Sequence, residues 1–232
     1  MKAVVLNSGG VDSTTCVSIA IETYRKENVS TISVFYGQRH KKELKCAQDV
    51  ADYYGIPHYT LDLSNVFKNC TCPLLGDAPD TIPHTDYSEQ VSQSKDGVVP
   101  TYVPFRNGLI LSAVASFSMS RYPNDNIALY LGNHADDSAG NAYPDCSERF
   151  SNAINEAITL GTAGRVTVCT PFATFNKPSI VREGLRLNTP YHLTWSCYEG
   201  GEKACGTCGT CRDRLRAFKL NGVKDPIEYQ EE

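Results

Sequence analysis

The chain has 232 residues, a formal net charge of −4 and 41% hydrophobic residues, which suits one α/β domain with an appendage or two small domains. The acidic balance disfavours a protein that grips a long nucleic acid by its phosphates, no apolar run is long enough to cross a membrane, and residues 1–10 lead into a strand rather than a signal peptide. We therefore expect a cytoplasmic protein without direct nucleic-acid or membrane contact, whose 10 cysteines serve metal binding or reactivity instead of a disulfide framework.

A glycine-rich turn lies between the first predicted strand, residues 3–6, and the first predicted helix. Its two glycines allow a sharp turn and leave no Cβ between the main chain and a ligand. The free N–H groups and the positive end of the helix dipole face such a turn, so we expect it to bind an anion. The spacing differs from the P-loop of kinases and GTPases, since no Gly-Lys-Ser/Thr follows. An ordinary βα turn is the alternative, but the pattern favours nucleotide binding by Leu6, Asn7, Ser8, Gly9, Gly10, Val11, Asp12, Ser13, Thr14, Thr15 and Cys16.

The next segments predict an α/β fold with an open, doubly wound, mostly parallel sheet. Residues 31–36 are β-branched and aromatic, residues 38–54 have an apolar helical face that Gly55 ends, and residues 58–63 read as a third strand. Such sheets bind ligands at the carboxyl ends of their strands. We therefore expect a purine ring at the end of the second strand, near Tyr36 and Gln38.

Residues 64–104 are rich in Pro, Asp, Ser and Thr and show little periodicity. A loop of this length in a compact domain is usually functional or disordered. We interpret it as a partly mobile cover over the site, with a flexible surface excursion as the alternative. Beyond it, the pattern predicts a buried helix over 107–119, a strand over 127–131, a helix over 146–160, a strand over 166–169 and a helix over 178–187.

Three groups of charged residues lie where this fold would place a site. Arg106 has a fork geometry suited to a carboxylate or phosphate, or it pairs with a surface acid. Asp136, Asp137 and Asp145 follow the fourth strand, where carboxylates bind Mg²⁺ or a substrate amino group, or cap the loop. Lys177 follows the fifth strand and is either a cation for leaving pyrophosphate or a solvated lysine.

Near the C-terminus a double CxxC pattern follows a further cysteine, and the four residues are Cys197, Cys205, Cys208 and Cys211. Four thiolates at this spacing suit tetrahedral Zn²⁺, and a site without an open position is structural rather than catalytic. An iron–sulfur cluster is the alternative occupant. Three arginines come next, which either offset the charge of the thiolates or form a solvated helix face, the commoner arrangement: Arg212, Arg214 and Arg216.

The motif SGGVDS at residues 8–13 resembles the pyrophosphate loop (PP-loop) of the N-type ATP pyrophosphatases, which adenylate a substrate and release pyrophosphate. It is joined by YGQRH at 36–40 with Glu43, VP.RN at 103–107, YPDC at 143–146 and the four cysteines. Together these resemble the 7-cyano-7-deazaguanine synthase family over nearly the whole chain. The resemblance implies a homodimer, a Rossmann-like PP-loop domain over residues 1–190 that includes the loop 64–104, and a zinc-binding C-terminal region over 191–232.

The reaction that this resemblance implies has two steps at one site. ATP adenylates 7-carboxy-7-deazaguanine, and ammonia displaces AMP to give an amide; a second ATP activates the amide, and loss of AMP leaves the nitrile. ATP, Mg²⁺ and Zn²⁺ are the implied cofactors. The implied catalytic residues are Asp12 on magnesium, Ser13 and Lys177 on pyrophosphate, and Arg106 on the substrate carboxylate. Further substrate-binding residues implied by the resemblance are Asn107, Asp136, Tyr143 and Asp145.

The chain departs from the family's pattern at three places. Phe105 stands where a small residue is common, residues 136–142 (DDSAGNA) form a longer loop before Tyr143, and Ser147 stands where an arginine is usual. An amide-forming relative that stops after the first ATP is therefore one alternative. A tRNA-thiolation enzyme of the same superfamily is another, although it would need a basic RNA-binding face and usually a catalytic cysteine. A nucleotide-binding, zinc-containing regulatory module without turnover is the third.

Overall fold

The computed structural model describes residues 1–39, 41–76, 82–85, 87–94, 97–138 and 142–230. Within these residues five parallel strands form one sheet in the order β3-β2-β1-β4-β5. The strands are β1 (Lys2–Leu6), β2 (Val29–Phe35), β3 (His58–Asp62), β4 (Ile127–Tyr130) and β5 (Val166–Cys169). The strand order reverses at β1, so the carboxyl ends of β1, β2 and β4 surround the crevice in which such sheets bind ligands.

The helices of the described residues, in chain order, are α1 (Val11–Tyr24), α2 (Lys42–Tyr54), α3 (Ser64–Phe67), α4 (Tyr87–Gln93), α5 (Arg106–Arg121), α6 (Ala135–Ser138), α7 (Glu148–Gly161), α8 (Lys177–Arg186) and α9 (Gly209–Leu220).

Helices cover both faces of the sheet, as the alternation of side chains along β1 shows. Ala3 and Val5 pack with residues of α1, α2 and α8 in one apolar cluster. Val4 and Leu6 pack with residues of α5 and α7 in another. Because successive strand residues point to opposite faces, a strand that is apolar throughout needs cover on both sides. The prediction of a doubly wound parallel sheet is therefore confirmed, and all five predicted strands are present.

The predicted helix over 38–54 is wrong over residues 38, 39 and 41, and residue 40 lies outside the described residues. The Tyr36 N–H donates to the side chain of Gln38 at 2.9 Å, and Gly37 has a φ of +94°. This local turn competes with a helical start, so α2 begins at Lys42.

The described residues of the segment 64–104 are more structured than its composition indicates. It contains α3 and α4, and Ile82 packs into an apolar cluster with Trp195 and three of the C-terminal cysteines. Helices of 4 and 7 residues are too short to produce a periodic pattern. Among the described residues, the structure contains no helix with both the length and the apolar character that crossing a membrane requires.

Candidate active site

The glycine-rich turn after β1 is held in one shape by its own side chains. Asn7 Oδ1 accepts hydrogen bonds from the Gly9 N–H at 3.0 Å and from the Ser13 hydroxyl at 3.1 Å. Ser13 Oγ accepts the Ser8 N–H at 3.2 Å and lies 3.1 Å from Ser8 Oγ. The turn is thus ordered before a ligand arrives, which lowers the entropic cost of binding.

Gly9 is required by a close approach between the turn and α2. It has a φ of +78°, and a Cβ at this position would lie 2.3 Å from the Glu43 carbonyl oxygen and 2.9 Å from the Ala47 nitrogen. The next residue, Gly10, is the N-cap of α1 and supplies no side-chain cap. The first-turn N–H groups of α1 and its dipole therefore remain for an anion.

Asp12, Lys177 and His134 meet beside this turn. Lys177 Nζ lies 2.5 Å from Asp12 Oδ2, and His134 Nε2 lies 3.8 Å from the same oxygen. Burial works to raise the pKa of the Asp12 carboxyl, but the Lys177 ammonium and then His134 outweigh it and hold that pKa below its usual range. Asp12 is therefore ionised at neutral pH. Its other oxygen, Oδ1, is buried and has no hydrogen-bond partner among the described residues.

The two adjacent carboxylates that follow β4 have different surroundings. Asp136 is exposed, and its Oδ2 accepts the backbone N–H of Lys177 at 2.8 Å, so it caps the first turn of α8. Asp137 lines the cavity, and its Oδ1 lies 3.3 Å from His134 Nε2. Of the two, Asp137 faces the site.

Another part of the same cavity wall consists of Arg106, at the start of α5, with Tyr36 and Gln38 beyond β2. The Arg106 guanidinium donates to the Tyr36 hydroxyl at 3.3 Å and to Asn107 Oδ1 at 3.3 Å. Among the described residues, Arg106 forms no ion pair with an acidic side chain. The alternative that Arg106 pairs with a surface acid is therefore not supported. A fixed cation bonded to neutral groups suits an anionic group of a ligand.

Asp145 supports α5 instead of lining the cavity. Its Oδ2 accepts the Asn107 N–H at 2.9 Å, and the Asn107 side chain donates to the Asp145 carbonyl at 3.1 Å. Burial raises the pKa of Asp145, although the Asn107 N–H opposes this. In the same motif, Tyr143 and Cys146 do line the cavity, and the Tyr143 hydroxyl lies 2.6 Å from Thr101 Oγ1.

Two of the departures from the family's pattern lie at helix starts. Phe105, the N-cap of α5, has a φ of 52°, a backbone conformation that glycine adopts without strain. Its ring packs edge-on against Phe150 with centroids 6.0 Å apart. Ser147 is the N-cap of α7 and accepts the Phe150 N–H at 3.2 Å. Of the third departure, residues 139–141 lie outside the described residues.

Together these groups enclose a cavity of ≈ 280 Å³. Its wall brings together many of the residues predicted from the sequence: Leu6, Asn7, Ser8, Asp12, Ser13, Tyr36, Gln38, Arg106, Asn107, Tyr143 and Lys177. Other predicted residues lie behind the wall, where they support α1. The side chains of Val11, Thr14, Thr15 and Cys16 are buried, and Thr15 Oγ1 lies 2.8 Å from the Tyr191 hydroxyl.

Sequence reasoning missed other residues of the wall: Arg39, Asn133, His134, Tyr198, Thr210 and Asp213. His134 follows β4 at the carboxyl edge of the sheet. Because ligands bind at this edge, its place in the sequence could have identified it as a site residue. Thr210 and Asp213 lie three residues apart on α9, where such pairs share a helix face. Nothing local in the sequence indicates that this face turns towards the glycine-rich turn.

The four C-terminal cysteines form a cluster that fits one metal ion. All four Sγ atoms lie within 4.8 Å of one another, and those of Cys205 and Cys211 are 3.9 Å apart. A tetrahedral zinc with Zn–S bonds of about 2.3 Å requires sulfur atoms about 3.8 Å apart. Backbone N–H groups donate to two of the sulfurs, from Cys205 to Cys197 Sγ and from Cys208 to Cys205 Sγ, each at 3.3 Å.

Of the two alternatives for the arginines on the next helix, an offset to the thiolate charge or a solvated face, neither describes Arg214. Arg212 and Arg216 are exposed, but the Arg214 side chain is 0% exposed and pairs with Asp225, which is 2% exposed. The guanidinium donates to both Asp225 oxygens, at 2.7 and 2.9 Å, and to Thr194 Oγ1 at 2.9 Å. Arg214 therefore ties α9 to the segments on either side of it.

The C-terminal region also contacts the glycine-rich turn directly. The Trp195 N–H donates to the Gly9 carbonyl at 2.8 Å. The ammonium of Lys42 lies 3.2 Å from the centroid of the Trp195 ring and donates to the Gly201 carbonyl at 2.7 Å. The shape of the turn consequently depends on residues almost two hundred positions later in the chain.

Comparison with known proteins relates the chain to one family. The model of the family described as queuosine biosynthesis protein QueC matches residues 2–222. The 7-cyano-7-deazaguanine synthase of Caldicellulosiruptor saccharolyticus is 39% identical over 234 residues, covering 99% of this chain and 96% of the relative. That of Methanospirillum hungatei is 40% identical over 238 residues, covering 99% of this chain and 100% of the relative.

A solved structure supports the fold alone. The NMN synthetase of Francisella tularensis superposes with a TM-score of 0.52 at 12% sequence identity, covering 96% of this chain and 78% of that one. At this identity the likeness extends to the arrangement of strands and helices and does not transfer a substrate.

Proposed function

Because the chain belongs to the family of queuosine biosynthesis protein QueC, we propose that it converts 7-carboxy-7-deazaguanine and ammonia to 7-cyano-7-deazaguanine by ATP-dependent adenylation. AMP and pyrophosphate leave, and an amide is the intermediate. The observation that carries the proposal is a single cavity that contains both the Asp12–Lys177 pair of the glycine-rich turn and Arg106. The first part of the wall suits phosphates, and the second suits a carboxylate.

The ATP phosphates would lie at the N-terminus of α1. There the Ser8 and Ser13 hydroxyls and the backbone N–H groups are already oriented, and the Lys177 ammonium provides a positive charge for the departing pyrophosphate. Donors and charges placed in advance of the reaction stabilise developing charge without reorganisation. The purine would lie across the end of β2, near Tyr36 and Gln38, which line the cavity.

Magnesium fits the carboxylates of this site. The buried Asp12 Oδ1 lacks a partner among the described residues, and leaving a buried carboxylate oxygen unpaired is costly. The residues that would hold the ion are Asp12 and Asp137, both of which line the cavity. When bound, Mg²⁺ would neutralise charge between the phosphates.

Arg106 would hold the substrate carboxylate that is to be adenylated. This cation at the start of α5 is bonded to the neutral Tyr36 and Asn107 side chains and has no acidic ion-pair partner among the described residues. Tyr143 and Asn107 line the cavity beside it and would contact the heterocycle. Asp136 and Asp145 each accept a backbone N–H at a helix start. We therefore assign both a positioning role, on Lys177 and on Asn107.

The four-cysteine cluster would hold structural Zn²⁺, since four thiolates leave no open position for substrate. The proposal also includes ammonia as the nitrogen source, the division into residues 1–190 and 191–232, a homodimer and a cytoplasmic location. The family resemblance supports these parts. The hydrogen bond from the Trp195 N–H to the Gly9 carbonyl supports a C-terminal region that packs against the rest.

We expect Cys208→Ser to lose the metal and stability together, because metal binding at such a site contributes directly to folding. A loss of about 3–5 kcal/mol would lower the unfolding midpoint by about 10 °C in a chain of this size. Metal content by mass spectrometry and a thermal melt measure the two effects. Cys70→Ser, outside the cluster, should retain both. A metal-free variant that melts at the wild-type temperature would contradict the structural role.

The thiolation alternative has one feature in its favour, which is that Cys146 lines the cavity. However, the thiol is buried, and burial raises its pKa well above the usual value. Thiolation chemistry needs a thiolate with a lowered pKa. The surroundings of Cys146 therefore favour the synthase.

The test is to supply purified protein with 7-carboxy-7-deazaguanine, ammonium and Mg-ATP. We expect release of pyrophosphate and AMP that depends on the carboxylate substrate, and a nitrile product by mass spectrometry. An amide as the final product would identify the enzyme that stops after the first ATP. Pyrophosphate at background, from folded and metal-loaded protein, would overturn the proposal.

A further inference from the structure

Glu43 is a cavity-lining carboxylate that neither phosphate binding nor carboxylate binding uses. It lies in the first turn of α2, is half-buried and lines the cavity. Its carbonyl oxygen would lie 2.3 Å from a Cβ at Gly9, so its backbone packs against the glycine-rich turn. Arg106 is among the charged groups that act on it. Glu43 thus stands between the turn that would hold ATP and the cation that would hold the substrate carboxylate.

The other carboxylates of the wall lie beside a lysine or a histidine or belong to the phosphate side. Asp12 pairs with Lys177, and Asp137 lies beside His134. Asp213 is influenced by Lys177, Asp136 and His134, which are groups of the phosphate side. For Glu43, the described part of the chain supplies neither an ion pair within 4.0 Å nor a side-chain hydrogen bond. The half-buried Glu43 carboxylate can therefore accept hydrogen bonds from the N–H groups of a ligand.

The proposed reaction brings a nitrogen nucleophile to the substrate carboxylate, which Arg106 of the same cavity would hold. The ammonia lone pair attacks the carbonyl carbon of the acyl adenylate, forming a C–N bond. The C–O bond to AMP breaks, and its electron pair leaves on the phosphate oxygen of AMP. The nitrogen then carries one proton too many for a neutral amide, and that proton needs an acceptor.

We propose that Glu43 is the catalytic base that accepts this proton from the attacking nitrogen in the amide-forming step. The inference rests on the proposed function. The proton passes from nitrogen to a Glu43 oxygen and from there to solvent. Adenylation itself needs no base, because the attacking group is the ionised substrate carboxylate. Glu43 therefore acts after pyrophosphate has left.

The electrostatic surroundings agree with this role. Burial raises the pKa of Glu43 to about 7, with Arg106 of α5 opposing the rise and Cys197 of the C-terminal region adding to it. Tyr36 beyond β2 and Cys46 on α2 also interact electrostatically with Glu43. A base is most effective when its pKa is near the operating pH.

The experiment separates adenylation from amide formation. Substrate-dependent ATP–pyrophosphate exchange without ammonium reports adenylation, and single-turnover amide formation with ammonium reports the second stage. In Glu43→Gln we expect exchange within about threefold of wild type and amide formation lowered about 10²- to 10³-fold, the usual contribution of a positioned base. Asp49→Asn, the same change on the exposed face of α2, should leave both rates within about twofold.

The outcomes are distinct. A Glu43→Gln protein that forms amide at the wild-type rate, or one whose KM for the carboxylate substrate rises while kcat is unchanged, would overturn the base assignment. Loss of exchange together with amide formation would assign Glu43 to the nucleotide site and would also overturn it. Absence of exchange in the wild-type protein would count against the proposed function itself.

Discussion

Lys177→Met should lower the rate of pyrophosphate release by about 10²- to 10³-fold, which is the usual cost of removing one preorganised charge-stabilising group. The Lys177 side chain is 11% exposed, and its ammonium donates to Asp12 beside the N-terminus of α1. Methionine keeps an unbranched side chain, one atom shorter, but provides no charge for the departing pyrophosphate. Among the described residues, His134 at 3.8 Å would be the remaining ion-pair partner of Asp12. The measurement is pyrophosphate release at saturating ATP and carboxylate substrate.

Two controls support the assignment of Lys177. Lys68→Met makes the same change at an exposed position and should leave the rate within about twofold. A thermal melt of Lys177→Met checks that the variant is folded. If the folded variant keeps more than about a tenth of the wild-type rate, Lys177 is not the cation that neutralises pyrophosphate.

Arg214→Met should lower the free energy of unfolding by about 3–5 kcal/mol, because breaking a buried ion pair leaves an uncompensated charge. Asp225, which would be left alone, is 2% exposed. Among the described residues, the Tyr229 hydroxyl, at 2.7 Å, would be the only side chain still donating a hydrogen bond to Asp225. Denaturant unfolding of the metal-loaded protein measures the change.

Arg216→Met is the matched control, since Arg216 lies on the exposed face of the same helix, where substitutions usually change stability by no more than about 0.5 kcal/mol. The double variant Arg214→Met with Asp225→Leu removes both charges and should recover part of the loss, because buried pairs are often replaceable by apolar groups. A loss below about 1 kcal/mol in the single variant would show that the pair does not hold α9 in place.

The sheet was predictable because its signals are local. Strand residues such as Ala3 and Val4 are apolar in succession, and β-branched and aromatic residues fill β2. Helix starts were less predictable, because short polar contacts compete with them. Gln38 turns back onto the Tyr36 N–H, so the apolar face of α2 begins later than its pattern indicates.

The site was predictable in its motifs and less so in the direction of its side chains. Asp136 and Asp137 are adjacent and chemically identical, so nothing in the sequence separates the one that caps α8 from the one that lines the cavity. Arg214 has exposed neighbours of the same type at positions 212 and 216. Its burial depends on Asp225, eleven residues later.

The alternation of strands and helices, the glycine-rich motif and the spacing of the four cysteines were visible in the sequence, since each of these signals lies within a short stretch of chain. Which charged groups meet became visible only in the folded chain. Lys177 and Asp12 are 165 positions apart, and α9 contributes Thr210 and Asp213 to the cavity wall. These contacts exist because the carboxyl ends of parallel strands, and the helices that follow them, lie at one edge of the sheet. Packing between distant segments brings them to that edge.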